Sequence, residues 1–150
     1  MQINFTVPGT PVAKGRPKFS RRGNFVVAYT PEKTANFETL VRISYQQANP
    51  GVWLEGQIGA DIIAYFPIPK STSKKDREKM LEGKIMHTKK SDLDNIVKAV
   101  ADALNEIAYH DDSSICELHA AKYYSDQPRV EVKLWEISNE ETPEICTKSM

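Results

Sequence analysis

Residues 90–105 read KSDLDNIVKAVADALN and carry the strongest helical pattern of the chain. From Asp92 to Asn105, apolar side chains recur every three or four residues, which is the spacing of one face of an amphipathic helix. This apolar stripe consists of Leu93, Ile96, Val97, Val100 and Leu104. The sequence therefore predicts a helix over residues 92–105 that packs through this stripe on the rest of the domain.

Strand patterns flank this helix on both sides. Residues 2–7 alternate apolar and polar side chains, and residues 57–66 form the mostly apolar run that is typical of a buried strand. Two further strands are predicted after the helix, over residues 115–124 and 129–137. A short segment rich in β-forming residues, 24–29, adds a strand between the first two.

A second amphipathic helix is predicted over residues 31–48, with Thr30 as its N-cap and Pro31 at the first helical position. The resulting element order, β-β-α-β-α-β-β, predicts an α+β fold in which helices pack against a mixed sheet. The chain has 150 residues, the size of one domain. We expect this domain to span 1–138 and a polar tail to span 139–150.

Charge is unevenly distributed along a chain whose formal net charge is zero. Residues 1–101 contain 16 lysines and arginines against 9 acidic residues, whereas residues 102–150 contain 4 against 11. Such asymmetry indicates a basic working surface next to an acidic region. Residues 9–23, predicted as a loop, have no acidic residue and five cations, which are Lys14, Arg16, Lys18, Arg21 and Arg22.

Several classes of protein are excluded by composition. Hydrophobic residues make up 40% and charged residues 27% of the chain, which argues against disorder and against a coiled coil. No apolar run approaches the roughly 18 residues of a membrane span, and the first residues lack the pattern of a secretion signal. Cys116 and Cys146 have no CxxC spacing, so we expect both thiols to be reduced. Together these features predict a cytoplasmic protein without membrane contact.

Acidic side chains gather along the predicted helix. Asp94, Lys98 and Asp102 follow one another at intervals of four residues, on the face opposite the apolar stripe. Asp92 can converge with Asp94 only if it lies at or before the helix start, a position that the N-cap preference of aspartate allows. Converging carboxylates would form a hard, oxygen-rich site of the kind that suits Mg²⁺.

A purely structural role for these acids is the alternative. Asp92 would then only cap the helix, and Asp94 with Lys98 would form a surface ion pair that contributes about 0.3 kcal/mol. The acidic pair Asp111-Asp112 and the basic segments favour the metal site over this interpretation.

Taken together, the motifs resemble those of the RusA-type Holliday junction resolvases. The resemblance rests on Lys90-Ser91-Asp92-Leu93-Asp94-Asn95 with Lys98, on Asp102-Ala103-Leu104-Asn105, on Asp111-Asp112-x-x-Ile115, and on the N-terminal motifs Pro8-Gly9-x-Pro11-x-x-Lys14-Gly15-Arg16-Pro17-Lys18 and Tyr29-Thr30-Pro31. Two positions depart from the family pattern. Ser91 stands where proline often precedes the first aspartate, and Glu106 stands where glycine often follows the asparagine.

The resemblance implies a homodimeric, Mg²⁺-dependent endonuclease, with Mn²⁺ able to substitute, that resolves four-way DNA junctions by paired symmetric nicks in recombination and repair. It implies a catalytic set made of three metal-binding acids and one lysine, which are Asp92, Asp94, Asp112 and Lys98. Supporting positions are matched by Asn95, Asp102 and Asp111. The five cations of residues 9–23 would bind DNA.

Three questions stay open at this level. The substrate is the first, since a nuclease of forks or flaps and a junction-binding protein that does not cut are both alternatives.

The second question is whether one chain or two supply the acidic side chains of the site. The link from Asn105 to Asp112 reaches the helix start within one chain only if it doubles back nearly straight; otherwise a second subunit supplies part of the site. We expect the single-chain arrangement.

The third question is which aromatic residues contact DNA. Phe19 is the candidate wedge for an opened junction, whereas Phe25 and Tyr29 are expected in the core.

Overall fold

A four-stranded mixed sheet forms the centre of the domain in the computed structural model, which describes residues 1–138. The strands are β1 (Gln2–Pro8), β2 (Lys18–Arg22), β3 (Phe25–Tyr29), β4 (Ile58–Pro67), β5 (Ile115–Ser125) and β6 (Arg129–Glu136). The helices are α1 (Glu32–Ala48), α2 (Lys74–Leu81) and α3 (Leu93–Ala103). The main sheet has the order β1-β6-β4-β5, in which β4 and β5 are parallel and the other neighbours are antiparallel. The predicted α+β class is confirmed.

Alternating side chains bury one face of this sheet. Along β1, Ile3, Phe5 and Val7 are buried while their neighbours are exposed, as expected for a strand with one face on the core. The helices α1 and α3 contribute their apolar sides to the same core cluster. Since β4 and β5 are parallel, the chain between them must cross over, and this crossover contains α2 and α3.

Two elements extend the predicted order. The strands β2 and β3 pair with each other as an antiparallel hairpin, so residues 18–22 of the predicted loop 9–23 form a strand. The helix α2 begins after Ser73, whose hydroxyl oxygen accepts a hydrogen bond from the Asp76 N–H at 3.2 Å. The N-cap of α1 is Pro31 rather than Thr30, and no side chain caps that helix.

The expectation that Phe25 and Tyr29 pack in the core was wrong. Their side chains are 76% and 47% exposed, respectively. The reason is that β2 and β3 form a separate two-stranded sheet, and no residue of either strand belongs to the core cluster. Phe19 is 70% exposed, as the wedge hypothesis requires.

Of the two cysteines, Cys116 lies in β5 as a free and exposed thiol. The predicted tail 139–150, with Cys146, lies outside the described residues. Within residues 1–138, none of the helices combines the length and the apolar character needed to cross a membrane.

His87 is a buried histidine in the segment that leads to α3. Its ring stacks on Phe66 with 3.7 Å between centroids and meets the Tyr124 ring edge-on at 5.2 Å. Its Nδ1 is buried and has no hydrogen-bond partner in the described structure. Burial lowers the pKa of His87, and the positive charges of Lys122 and Lys89 lower it further.

This arrangement predicts a loss of stability in acid. The unfolded chain protonates His87 near its ordinary pKa of about 6.5, whereas the native state resists protonation. The stabilisation from neutral His87 is therefore present above about pH 6.5 and is lost as the pH falls below that value. We expect His87→Phe, which keeps a stacked ring, to show a smaller fall in Tm than wild type between about pH 7.5 and pH 5.5. Thermal melts followed by circular dichroism test this, with His110→Asn as the exposed-histidine control; the same acid sensitivity in His87→Phe and wild type would contradict it.

Candidate active site

Asp92 lies at the start of α3, as predicted. It is the N-cap residue, with extended backbone angles, and its carbonyl oxygen accepts hydrogen bonds from the N–H groups of Asn95 and Ile96. Its carboxylate makes no capping hydrogen bond. The alternative in which Asp92 serves only as a side-chain cap therefore lacks its defining contact, and the carboxylate is available for another partner.

A cleft between α3 and the start of β5 brings Asp94 and Asp112 together. Its volume is about 300 Å³. The lining residues are Asp94, Val97, Lys98, Ala101, Asp112, Ile115, Cys116 and Leu118. The four residues from α3 follow the spacing of a single helix face. The link between α3 and Asp112 thus doubles back, so that two of the three predicted acids and the predicted lysine line one cleft within one chain.

Asn105 fixes the backbone of Asp112. Its Oδ1 accepts a hydrogen bond from the Asp112 N–H at 2.8 Å. Glu106, which follows, has a positive φ of 62°, an uncommon conformation for any residue other than glycine. This explains why glycine is favoured at that position. Asn105 is a positioning residue that the sequence motif contained but to which no role was assigned.

Asp111 supports the same turn from its other end. Its Oδ2 accepts a hydrogen bond from the Ser113 N–H at 3.0 Å and caps the short 3₁₀ turn Asp112–Ser114. Hydrogen bonds from Ser113 hold the pKa of Asp111 below its ordinary value. Asp111 therefore stays ionised and orders the turn that carries Asp112.

Tyr109 is a buried tyrosine that joins this turn to α3. Its hydroxyl donates to the Ala101 carbonyl oxygen at 2.7 Å. Burial raises the pKa of Tyr109 well above its ordinary value, and the negative charges of Asp112, Asp102 and Asp111 raise it further. The phenol therefore stays protonated at neutral pH and acts as a hydrogen-bond donor that holds the link in place.

Lys14 is held by two carboxylates. Its Nζ lies 2.5 Å from Glu38 Oε1 and 3.3 Å from Asp102 Oδ2. Burial lowers the pKa of Lys14, but the hydrogen bonds and charges of these two acids outweigh that effect and raise it above its ordinary value. Asp102 also accepts a hydrogen bond from Lys98 Nζ at 3.4 Å. Lys14 thus differs from the other predicted DNA-binding cations, which are all exposed: Arg16, Lys18, Arg21 and Arg22.

Lys122 supports the segment that enters α3. Its Nζ donates to the carbonyl oxygens of Lys89 at 3.0 Å and Ser91 at 2.9 Å. Lys122 pairs in register with the buried Ala64, so it lies on the inward row of β5. A lysine in the inward row of a strand is unusual without a partner, and this is the signal that could have identified it from the sequence.

The donor set suits a hydrated divalent cation. Mg²⁺ is typically bound by one or two protein carboxylates and keeps several waters, and Asp94 with Asp112 provides that number. Within residues 1–138, no group of three or more histidine, cysteine or acidic side chains lies close enough to hold a metal ion. Asp92 does not line the cleft. The cleft therefore presents a pair of carboxylates rather than the implied set of three.

Comparison with known proteins identifies the family. A family model described as Endodeoxyribonuclease RusA matches residues 8–135. The chain belongs to the RusA endodeoxyribonuclease family. The match runs from the end of β1 into β6 and includes the Asp94–Asp112 cleft, so the resemblance drawn from the motifs is confirmed.

A relative of known sequence extends this result. The uncharacterized protein YqaN of Bacillus subtilis (strain 168) is 44% identical over 138 residues, which are 91% of this chain and 97% of the relative. RusA endodeoxyribonucleases hydrolyse phosphodiester bonds within DNA strands. The family therefore supports a nuclease.

Proposed function

We propose that this RusA-family protein is an Mg²⁺-dependent endonuclease, with Mn²⁺ able to replace Mg²⁺, that resolves four-way DNA junctions by paired symmetric nicks in recombination and repair. The observation that carries the proposal is the single cleft lined by Asp94, Lys98 and Asp112. It combines hard oxygen ligands with a cation, which is the composition needed to hold a scissile phosphate.

The cleft residues divide this work. Asp94 would hold the cation from the α3 wall and Asp112 from the turn before β5. Asp92 lies outside the cleft lining, two residues before Asp94, and is proposed as a further acid of the site because its carboxylate does not cap the helix. When bound, the ion supplies Lewis-acid activation of the phosphate and of a water molecule. Lys98 projects from the same helix face as Asp94 and would bind a phosphate oxygen. Asp102 orients Lys98 through their hydrogen bond.

The remaining predicted residues bind DNA or hold the framework. Phosphate contacts are proposed for the four exposed cations, Arg16, Lys18, Arg21 and Arg22. Lys14 anchors the N-terminal segment between α1 and α3 through Glu38 and Asp102. Asn95 supports the same anchor, since its carbonyl oxygen accepts the Lys14 N–H at 2.8 Å.

The two-fold symmetry of a four-way junction bears on the oligomeric state of the protein. A four-way junction is cut productively in two symmetric strands, and two strands require two cleft sites, so we propose a homodimer. Access to branched DNA requires that the protein share a compartment with it, which is the basis for proposing a cytoplasmic location.

Labelled substrates test this function. A four-way junction, a flap and a linear duplex of matched sequence are incubated with the protein, with and without Mg²⁺. The proposal predicts paired nicks near the branch point of the junction that require Mg²⁺. Cutting of flaps alone would replace the junction with another branched substrate, and a shifted but uncut junction would overturn the enzymatic role.

Lys122 provides a test of the support behind Asp92. Lys122→Met removes the ammonium that binds the carbonyl oxygens of Lys89 and Ser91, so the residues before Asp92 lose their anchor. Since partners behind metal ligands typically contribute 10–100-fold to affinity or activity, we expect the Mg²⁺ concentration for half-maximal cleavage to rise about tenfold. Lys122→Gln, which keeps an N–H donor, should recover part of this loss.

The matched control is Lys133→Met, which removes an exposed lysine from β6. It should leave the Mg²⁺ dependence of cleavage unchanged. If Lys122→Met also shows the wild-type Mg²⁺ dependence, the positioning role is wrong.

A further inference from the structure

The β2–β3 hairpin is a ribbon whose two strands pair only with each other in the described structure. Its turn contains Gly23 with a positive φ of 62°, which glycine adopts without strain. Apart from the half-buried Ser20, every residue from Lys18 to Tyr29 is exposed. Both faces of the ribbon therefore lack a partner within residues 1–138.

Apolar side chains are concentrated on this exposed ribbon. Phe25 is 76%, Val26 67% and Phe19 70% exposed, and Tyr29 is 47% exposed. Single exposed apolar residues are common on protein surfaces, but four large ones within one short hairpin mark an interaction surface. The composition of the hairpin therefore indicates that a partner covers it.

The strand register places the apolar side chains beside cations. Lys18 pairs with Tyr29, and Arg22 pairs with Phe25. Since directly opposed residues share a face and alternate residues along a strand do so too, these four lie on one face together with Val27. That face, which we call the stacking face, presents two cations, with Ser20 between them, next to a row of aromatic and aliphatic side chains.

Charge identifies the chemistry of the partner. Residues 9–31 contain five cations and no acidic residue. A second copy of this chain, packed on the same face, would bring like charges together, which is unfavourable in a symmetric interface. DNA supplies phosphates for the cations and base faces for the rings, and surfaces that bind single strands combine these two features.

The hairpin is anchored beside the acidic cleft. The Lys14 N–H donates to the Asn95 carbonyl oxygen at 2.8 Å, which joins the entering chain to α3. The Gly15 N–H donates to Thr34 Oγ1 at 3.0 Å, which joins it to α1. The strand β2 begins only three residues after Gly15. A stacking face at this position contacts bases only where strands part, since base faces are covered within a duplex.

We propose that the β2–β3 hairpin recognises the branch point itself: Phe25 and Tyr29 stack on bases left unpaired at a DNA branch, while Lys18 and Arg22 hold the flanking phosphates. The inference rests on the proposed function for the presence of branched DNA and goes beyond it by naming the element that distinguishes a branch from a duplex. The cations of this face bind both forms of DNA, whereas its aromatic rings bind only the branch.

The test uses Phe25→Thr/Tyr29→Thr in the full chain, since threonine keeps the β-strand preference of the ribbon. Affinities for a four-way junction and for a duplex of the same sequence are measured without divalent cations, across a salt series. We expect junction affinity to fall at least about thirtyfold, with duplex affinity and the salt slope unchanged. A 2-aminopurine at the branch should change its fluorescence on binding wild type but not on binding the variant.

Val26→Thr is the matched control because it removes an exposed apolar side chain from the opposite face of the ribbon, at a position to which no DNA contact is assigned. An equal loss in this control, an equal loss for duplex and junction, or a change in sedimentation mass of the double variant would overturn the proposal; the last would assign the face to contact between copies. Wild type without junction preference would overturn the proposed function as well. Junction preference that survives in the double variant would overturn this inference alone.

Discussion

We expect Asp94→Asn to lower junction cleavage by about a thousandfold at saturating Mg²⁺ and to leave junction binding intact or tighter. Asp94 lines the cleft with Asp112, and removing one of two carboxylates eliminates a charged ligand without changing the shape of the side chain. Metal-ion catalysis contributes several kcal/mol, and about 4 kcal/mol corresponds to a factor of a thousand. Binding is spared because the substitution removes a negative charge that faces phosphate.

Asp112→Asn is expected to behave in the same way, since Asp112 lines the same cleft from the turn before β5. Asp76→Asn, an exposed acid in α2, controls for the loss of one negative charge from the protein. Gel assays of cleavage and binding on the same labelled junction measure both quantities. Wild-type cleavage rates in Asp94→Asn or in Asp112→Asn would remove that residue from the site.

We expect neutralisation of the exposed cations of the N-terminal segment to cause a large loss of DNA affinity and of its salt dependence. The variant replaces four residues with glutamine: Arg16, Lys18, Arg21 and Arg22. Each phosphate contact contributes about 0.9 to the slope of log K against log salt, so we expect the slope to become shallower by about 3 to 4. At low salt, affinity for both junction and duplex should fall by at least about a hundredfold.

A charge-matched control separates a local surface from the effect of net charge. Lys70, Lys74, Lys75 and Lys79 form a second group of exposed cations, and their replacement with glutamine removes the same total charge. We expect a clearly smaller change in slope for this control. Equal changes in the two variants would mean that DNA responds to the overall charge of the protein and not to the hairpin.

Most of the helices and strands could be predicted from the sequence, because the spacing of apolar residues matched the periods of helices and strands. The apolar stripe of α3 and the alternation of Ile3, Phe5 and Val7 both report packing on one core, so the pattern and the structure agree. Only the second strand of the β2–β3 hairpin could be predicted from the sequence. Its strands bury neither face, so the usual contrast between buried and exposed positions is missing, and the aromatic residues suggested burial that pairing in a separate sheet does not provide.

The site divides in the same way. Helical spacing predicted Asp94 as a candidate metal ligand, and the resemblance to the family motifs added Asp112. Their supports are less evident, because Asn105, Tyr109 and Lys122 act through backbone groups of residues brought near by folding. The role of Lys14 could not be predicted from charge alone, because Glu38 and Asp102, whose carboxylates hold its ammonium group, are distant in sequence.

Binding of Mn²⁺ to the protein alone tests the central claim most directly. Titrations followed by electron paramagnetic resonance report free Mn²⁺, and they are compared for wild type, Asp94→Asn, Asp112→Asn and the control Asp76→Asn. We expect saturable binding by wild type and the control, and affinity at least about tenfold weaker in each cleft variant. Wild-type Mn²⁺ affinity in both cleft variants, or no saturable binding by wild type, would contradict the assignment of the Asp94–Asp112 cleft as the metal site.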